Sequence, residues 1–156
     1  MLPRPRLGPG TTENIAASTS LHLWLATMRL PPRPCDDHGV RTTVLIVDDH
    51  DDFRESARKL LDAEGFAVLG GAADGRTAVI EATRLHPDVV LLDVQLPDVD
   101  GFAVAEELAA LRDPPRVVLI SSRAARTYGS RVVAARVVGF LAKHELSGAS
   151  LAALLG

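Results

Sequence analysis

The stretch VLIVDDHDDF, residues 44–53, places four apolar residues directly before a run of acidic ones. A continuous apolar run of this kind is typical of a strand that is buried on both faces of a sheet. The polar residues that follow it are Asp48, Asp49, His50, Asp51 and Asp52. Adjacent carboxylates repel one another, and their burial is costly unless a cation or a partner neutralises them. The end of this strand is therefore a candidate cation site.

From residue 43 onward, apolar runs alternate with amphipathic segments. The predicted strands are residues 43–48, 66–72, 88–93, 116–121 and 137–142. A first helix follows the acidic run, with Asp51 as its candidate N-cap and Gly65 as its candidate stop. The other predicted helices are residues 75–86, 101–111, 124–135 and 145–155. Gly129 and the β-branched pair Val132–Val133 weaken the fourth of these helices. Five strands alternating with five helices predict an α/β fold, a parallel sheet with helices on both faces.

Residues 1–42 have a different composition, since they hold six of the ten prolines in the chain. They are predicted to be a mostly disordered Pro-rich extension, and residues 43–156 to be the folded domain. A short helix around residues 19–29 is predicted, and an amphipathic docking segment is the alternative there. A further alternative is that the protein starts at Met28 or Val40.

Charge and composition narrow the class of protein. The extension carries five arginines against three acidic residues, so the net charge of −3 becomes −5 over residues 43–156. This acidic balance argues against direct nucleic-acid binding. A single cysteine, Cys35, fits a reducing compartment. Residues 15–28 are only a weak signal-peptide pattern, and no apolar run reaches the roughly 18 residues of a membrane helix. We therefore expect a cytoplasmic protein without a membrane contact.

Chemically useful side chains stand where the predicted strands end. They are Asp48 and Asp49 after the first strand, Asp93 at the end of the third, Ser121 at the end of the fourth and Lys143 after the fifth. Parallel strands end at one edge of the sheet, about 4.8 Å apart, so these groups are predicted to converge. Clustered carboxylates suit Mg²⁺, and a lysine beside them suits a phosphoryl oxygen. A carboxylate can also act as a nucleophile, which predicts phosphoryl transfer onto an aspartate.

One competing motif lies between the second strand and the second helix. GGAADGRT, residues 70–77, approaches the phosphate-cradling pattern G-x-x-x-x-G-K-[ST]. Arg76 stands where that pattern has lysine, and Asp74 would place negative charge among the phosphates. A nucleotide hydrolase also leaves Lys143 unexplained, so this alternative is disfavoured.

Taken together, four motifs resemble the receiver domain of bacterial two-component response regulators. They are VDD at 47–49, LLDVQLPDVDG at 91–101, LISS at 119–122 and GFLAK at 139–143. The resemblance implies a doubly wound, flavodoxin-like (βα)5 fold with strand order 2-1-3-4-5. Phe140 then matches an aromatic switch residue that follows Ser121 when Ser121 moves toward a phosphoryl group.

The same resemblance implies the site. Asp93 would be the phosphoacceptor, and Asp49, Asp93 and the backbone carbonyl of Gln95 would ligate Mg²⁺. Asp48 would act on the metal largely through water. Ser121 and Lys143 would hold the phosphoryl group. Three residues depart from the commonest pattern of the family: His144 after the lysine, Arg123 near the phosphoryl site and Arg136 before the fifth strand.

The resemblance also implies partners. A sensor histidine kinase would donate the phosphoryl group. A downstream protein would bind the face formed by the fourth helix, the fifth strand and the fifth helix (α4-β5-α5), and homodimerisation is an open alternative. The chain would be a stand-alone receiver and not an enzyme beyond slow self-dephosphorylation. Two other outputs remain open: the receiver part of a transcription regulator without its helix-turn-helix domain, and a phosphate sink or docking module.

Overall fold

The computed structural model describes residues 40–156, and the extension and helix predicted within residues 1–39 lie outside this part of the chain. The strands are β1 (Thr43–Val47), β2 (Ala67–Ala72), β3 (Val89–Asp93), β4 (Arg116–Ser121) and β5 (Gly139–Ala142). The α-helices are α1 (Asp51–Ala63), α2 (Gly75–Leu85), α3 (Gly101–Ala109), α4 (Ser130–Ala134) and α5 (Gly148–Leu155). Short 3₁₀ helices cover Ala125–Thr127 and Lys143–Glu145.

The five strands form one parallel sheet in the order β2-β1-β3-β4-β5. This confirms the predicted α/β architecture and strand order. Consecutive residues of a strand point to opposite faces, so the apolar runs of β1, β3 and β4 bury side chains on both sides. One face packs against α2 and α3, and the other packs against α1 and α5. The sheet is thus covered on both faces, and its carboxyl edge stays free for a site.

Most predicted elements are present, and their ends shift by one or two residues. Asp48 lies just after β1 instead of within it. The prediction of Asp51 as the N-cap of α1 was wrong, because His50 occupies the N-cap position and Asp51 is the first helical residue. The cause is a tight turn in which Asp48 Oδ1 accepts a hydrogen bond from the His50 N–H at 2.8 Å. Gly65, the predicted stop, has a φ of 97°, which favours glycine.

Two helix predictions were wrong in extent. Residues 124–135 do not form one helix, because Gly129 adopts a φ of 56° between the 3₁₀ turn and the five-residue α4. The last helix begins at Gly148, not at residue 145. Ser147 caps it by accepting from the Ser150 N–H at 3.0 Å, and the Ser150 hydroxyl accepts from the Ser147 N–H at 2.8 Å. This reciprocal capping box starts the helix at that point.

Candidate functional site

The carboxyl edge of the sheet brings two buried aspartates and a lysine into contact. The side chain of Asp48 is fully buried and that of Asp93 is 5% exposed. Lys143 Nζ lies 2.5 Å from Asp48 Oδ2 and 3.1 Å from Asp93 Oδ2. The ammonium donates a hydrogen bond to Asp93. Its contact with Asp48 is an ion pair without the geometry of a hydrogen bond. The sequence prediction that these three groups converge is therefore matched by their positions.

The pKa values of the three groups move in different directions. Burial raises the pKa of Asp93, the negative charge of Asp48 adds to this, and the Gln95 N–H and Lys143 only partly offset it. Burial also raises the pKa of Asp48, but its contacts with Lys143 and His50 outweigh burial and lower the pKa overall. Burial alone would lower the pKa of Lys143, yet the two carboxylates raise it. Asp48 and Lys143 thus hold their charges, while Asp93 resists ionisation.

Asp48 and Asp93 belong to a wider cluster of possible metal ligands. One ligand atom from each of Asp48, Asp49, His50 and Asp93 lies within 4.8 Å of the others. His50 Nδ1 is 3.0 Å from an oxygen of Asp48 and 3.0 Å from an oxygen of Asp49. When all three carboxylates are ionised, they and the Lys143 ammonium carry an excess of two negative charges, which one divalent cation would balance. Carboxylate oxygens are the donors that Mg²⁺ prefers, so the residues present fit this ion.

Backbone contacts hold the two acidic turns in place. Arg54 donates from its guanidinium to the carbonyl oxygen of Asp48 at 2.5 Å, which fixes the turn after β1. Asp93 Oδ1 accepts from the Gln95 N–H at 3.1 Å. Gly101 starts α3 so close to this turn that an added Cβ would lie 2.3 Å from the Asp93 carbonyl oxygen. A glycine is therefore required where α3 meets the end of β3.

Comparison with known proteins decides the family. A family model described as the response regulator receiver domain matches residues 44–154. The chain belongs to this family. A protein-glutamate methylesterase/protein-glutamine glutaminase of Anaeromyxobacter dehalogenans is 42% identical over 106 residues, which are 67% of this chain and 30% of that protein. The response regulator GacA of Pseudomonas viridiflava is 34% identical over 113 residues, which are 72% of this chain and 51% of GacA.

Solved structures agree with this assignment. The signal receiver domain of NarL from Mycobacterium tuberculosis superposes with a TM-score of 0.66 at 32% identity. That match covers 74% of this chain and 98% of the NarL domain. The chain spans about half or less of the length of the curated relatives named above. Within residues 40–156, no helix is long and apolar enough to cross a bilayer.

The side chain of Ser121 forms its hydrogen bonds away from the acidic residues. Ser121 ends β4 and is buried. Its hydroxyl oxygen lies 2.7 Å from the Tyr128 hydroxyl and accepts from the Arg123 N–H at 3.1 Å. Phe140 on β5 is half-buried, and its ring centroid lies 5.9 Å from that of Tyr128. Ser121 thus stands at the expected strand end, but its hydrogen bonds go to the segment after β4.

Hydrogen bonds hold the loop after β3 against the start of α2. Asp98 accepts hydrogen bonds from the Gly75 N–H at 2.9 Å and the Arg76 N–H at 3.1 Å. These bonds, led by the one from Gly75, lower the pKa of Asp98. An added Cβ at Gly75 would lie 2.3 Å from Val99, so the loop packs closely on this helix start. The backbone carbonyl of Gln95 as a metal ligand stays a prediction.

Sequence reasoning missed four residues that touch the site or position the loops around it. Arg54 fixes the turn after β1, and Asp98 joins the loop after β3 to the start of α2. The centroid of the Phe53 ring lies 4.7 Å from Lys143 Nζ, and the Tyr128 hydroxyl contacts the Ser121 hydroxyl. Asp98 lies within the motif at 91–101 and Phe53 ends the quoted stretch 44–53, so both offered a positional signal. Tyr128 is the single tyrosine of the chain, seven residues after Ser121, and its role depends on how the irregular segment folds back.

Proposed function

We propose that this receiver domain accepts a phosphoryl group on Asp93 from the phosphohistidine of a sensor histidine kinase. The observation that carries the proposal is the Asp93 carboxylate at the end of β3, hydrogen-bonded to Lys143 at 3.1 Å inside an acidic cluster. A carboxylate oxygen of Asp93 attacks phosphorus and forms the new P–O bond. The P–N bond to the kinase imidazole breaks, and its electron pair stays on that nitrogen.

The residues around Asp93 have separate roles in this proposal. The Lys143 ammonium turns from the aspartates to a phosphoryl oxygen, where it balances the charge that arrives. Asp49, Asp93 and the Gln95 carbonyl would hold Mg²⁺, and Asp48 would act on it largely through water. When bound, Mg²⁺ neutralises phosphoryl oxygens and lowers the repulsion that the aspartates exert on them. The Ser121 hydroxyl donates to a phosphoryl oxygen after transfer.

Phosphorylation is proposed to change a binding surface. Ser121 moves toward the phosphoryl group, Phe140 follows, and the α4-β5-α5 face changes its affinity for a downstream protein or a second copy of the chain. This is a shift between two conformations and needs a difference in their affinity for the phosphoryl group. We propose a cytoplasmic location, where the kinase would present its phosphohistidine, and no enzyme activity beyond slow self-dephosphorylation.

The test is the intact mass of the full chain after incubation with acetyl phosphate or phosphoramidate and Mg²⁺. We expect one added phosphoryl group that depends on Mg²⁺ and is absent in Asp93→Asn. Asp113→Asn changes an exposed aspartate outside the four motifs, in the loop between α3 and β4, and is the matched control that keeps the adduct. An unmodified wild type that is folded and binds Mg²⁺ would refute phosphoryl acceptance.

A second candidate concerns the output. The relative GacA is named a response regulator, and the chain matches about half of its length. Several further relatives are named transcription regulators, for example BvgA of Bordetella pertussis, of which the chain covers 49%. We therefore keep the receiver part of a transcription regulator as an alternative to a phosphate sink. A long-lived phosphorylated state, measured as the half-life of the adduct, would favour the regulator and count against the sink.

A further inference from the structure

The Ser121 hydroxyl is engaged by the segment that follows β4. Its oxygen lies 2.7 Å from the Tyr128 hydroxyl and 3.1 Å from the Arg123 N–H that donates to it. A serine hydroxyl offers one donor and two acceptor sites. With the side chain buried, both contacts that residues 40–156 provide to it come from this segment. Ser121 cannot turn to a phosphoryl group on Asp93 without giving up the bond to Tyr128.

The ring of Tyr128 connects this bond to the switch surface. Its centroid lies 5.8 Å from the ring of Phe102 on α3 and 5.9 Å from the ring of Phe140 on β5. Both pairs are tilted, as aromatic contacts prefer. One side chain therefore contacts Ser121 through its hydroxyl and Phe140 through its ring.

The segment that carries Tyr128 has few other attachments. Residues 122–127 are all exposed, and α4 is five residues long with no buried side chain. Besides Tyr128, three residues of this segment contact the rest of the described domain. Val132 and Ala135 are half-buried against the core, and the Arg131 guanidinium lies 4.2 Å from the centroid of the Phe102 ring and pairs with Asp100. Segments with few buried contacts open at low free-energy cost. The bond to Ser121 is therefore one of a small number of contacts that hold this segment in place.

We propose that the Tyr128 hydroxyl is a positioning group that holds Ser121 away from the phosphoacceptor until a phosphoryl group is bound. The inference rests on the proposed function, because it assumes that Ser121 serves a phosphoryl group on Asp93. Movement of Ser121 breaks the bond, and the freed Tyr128 passes the change to Phe140 and α4. Tyr128 does not touch the reacting atoms and acts only through Ser121.

The first experiment compares the rates of phosphoryl acceptance in the full chain. Tyr128→Phe keeps the ring packing and removes the hydroxyl. One neutral hydrogen bond shifts a two-state equilibrium by about two- to tenfold, so we expect Tyr128→Phe to react with phosphoramidate faster by about that factor. Thr127→Val removes the exposed hydroxyl of the neighbouring residue and is the matched control with the wild-type rate.

The second experiment uses the single tyrosine of the chain. Labelling with 3-fluorotyrosine gives one ¹⁹F resonance, which reports on Tyr128 alone. We expect this resonance to shift when Mg²⁺ and beryllofluoride, a mimic of the phosphoryl group, are added. In Asp93→Asn, which lacks the acceptor carboxylate, the resonance stays in place. Because Tyr128 contacts Phe140, the shift alone shows only that its surroundings change, and the faster reaction of Tyr128→Phe is the result that a purely structural tyrosine would not give.

The outcomes separate this inference from the proposed function. If the wild type forms the adduct but Tyr128→Phe reacts at the wild-type rate or more slowly, the positioning role is wrong and the proposed function stands. An unshifted ¹⁹F resonance in a protein whose adduct is confirmed by mass has the same meaning. If the wild type forms no adduct at all, both proposals fall.

Discussion

Replacement of Lys143 by methionine tests the charge arrangement of the site directly. Lys143 is 15% exposed and lies between the carboxylates of Asp48 and Asp93, which are 0% and 5% exposed. Methionine keeps most of the side-chain volume and removes the ammonium. Two buried carboxylates then face each other without a compensating cation, which is the costly case of a broken buried ion pair.

The expected loss in the metal-free protein is about 3 kcal/mol of unfolding free energy, the lower end for such a break, because one carboxylate can take up a proton. For a domain of this size it corresponds to a fall in melting temperature of roughly 10 °C. The loss should shrink as the pH falls, since protonation of Asp93 removes the repulsion. Mg²⁺ should also reduce the loss, because the ion balances the same carboxylates.

The assay is thermal and urea unfolding followed by circular dichroism, with EDTA and with Mg²⁺. Lys59→Met is the matched control, because Lys59 is 75% exposed and meets only Glu55, at 3.5 Å. Exposed pairs of this kind contribute about 0–1 kcal/mol. If Lys143→Met unfolded within about 0.5 kcal/mol of Lys59→Met, Lys143 would be an ordinary surface lysine, and the charge argument would be refuted.

Three further substitutions test the structure around the site, each by thermal unfolding. Burial raises the pKa of Asp93, so the folded state disfavours its ionised carboxylate, and the protein gains stability as the pH falls from the raised pKa toward the pKa of the unfolded state. Asp93→Asn should therefore raise the melting temperature at neutral pH without metal. A lower melting temperature for Asp93→Asn would contradict the direction of this pKa shift. Gly101→Ala would bring a Cβ to 2.3 Å from the Asp93 carbonyl and should cost about 1–3 kcal/mol, whereas Gly70→Ala, whose Cβ would meet Leu85 at an ordinary 3.4 Å, should cost less than half as much. Ser147→Ala removes the cap of α5 and should cost about 1 kcal/mol; equal stability of Ser147→Ala and the exposed control Ser122→Ala would show that the cap is dispensable.

The sheet and the charged half of the site could be predicted because both follow from strand ends. Asp48, Asp93 and Lys143 stand at the carboxyl ends of β1, β3 and β5, and parallel strands must bring these ends to one edge. The order of the strands came from the family resemblance. Periodicity alone gives the number of strands and helices but not their order, since several doubly wound orders satisfy the same alternation.

Helix ends were harder to predict because they depend on single side-chain hydrogen bonds. Asp51 has the residue type of an N-cap, but the Asp48 side chain accepts a hydrogen bond from the His50 N–H, and the helix starts one residue earlier than predicted. Ser147 and Ser150 form a capping box with serine at both positions, whereas the usual pattern has glutamate or glutamine at the second. Gly129 was recognised as a weak point of the fourth helix, and its positive φ divides that segment in two.

The acidic cluster and Ser121, the two halves of the site, are therefore held in place by different parts of the structure. Asp48 and Asp93 are held at the ends of β1 and β3, two central strands that are buried on both faces, so changes in distant loops should leave Mg²⁺ binding intact. The state of Ser121 depends on one hydroxyl, Tyr128, in an exposed segment that was beyond prediction because irregular backbone sets its path. It follows that substitutions of Tyr128 or of Val132 and Ala135, which pack beside it on the core, should change the rate of phosphoryl acceptance and the lifetime of the adduct while the affinity for Mg²⁺ stays constant. A set of variants in which rate and Mg²⁺ affinity changed in proportion would show that the two halves are one mechanical unit.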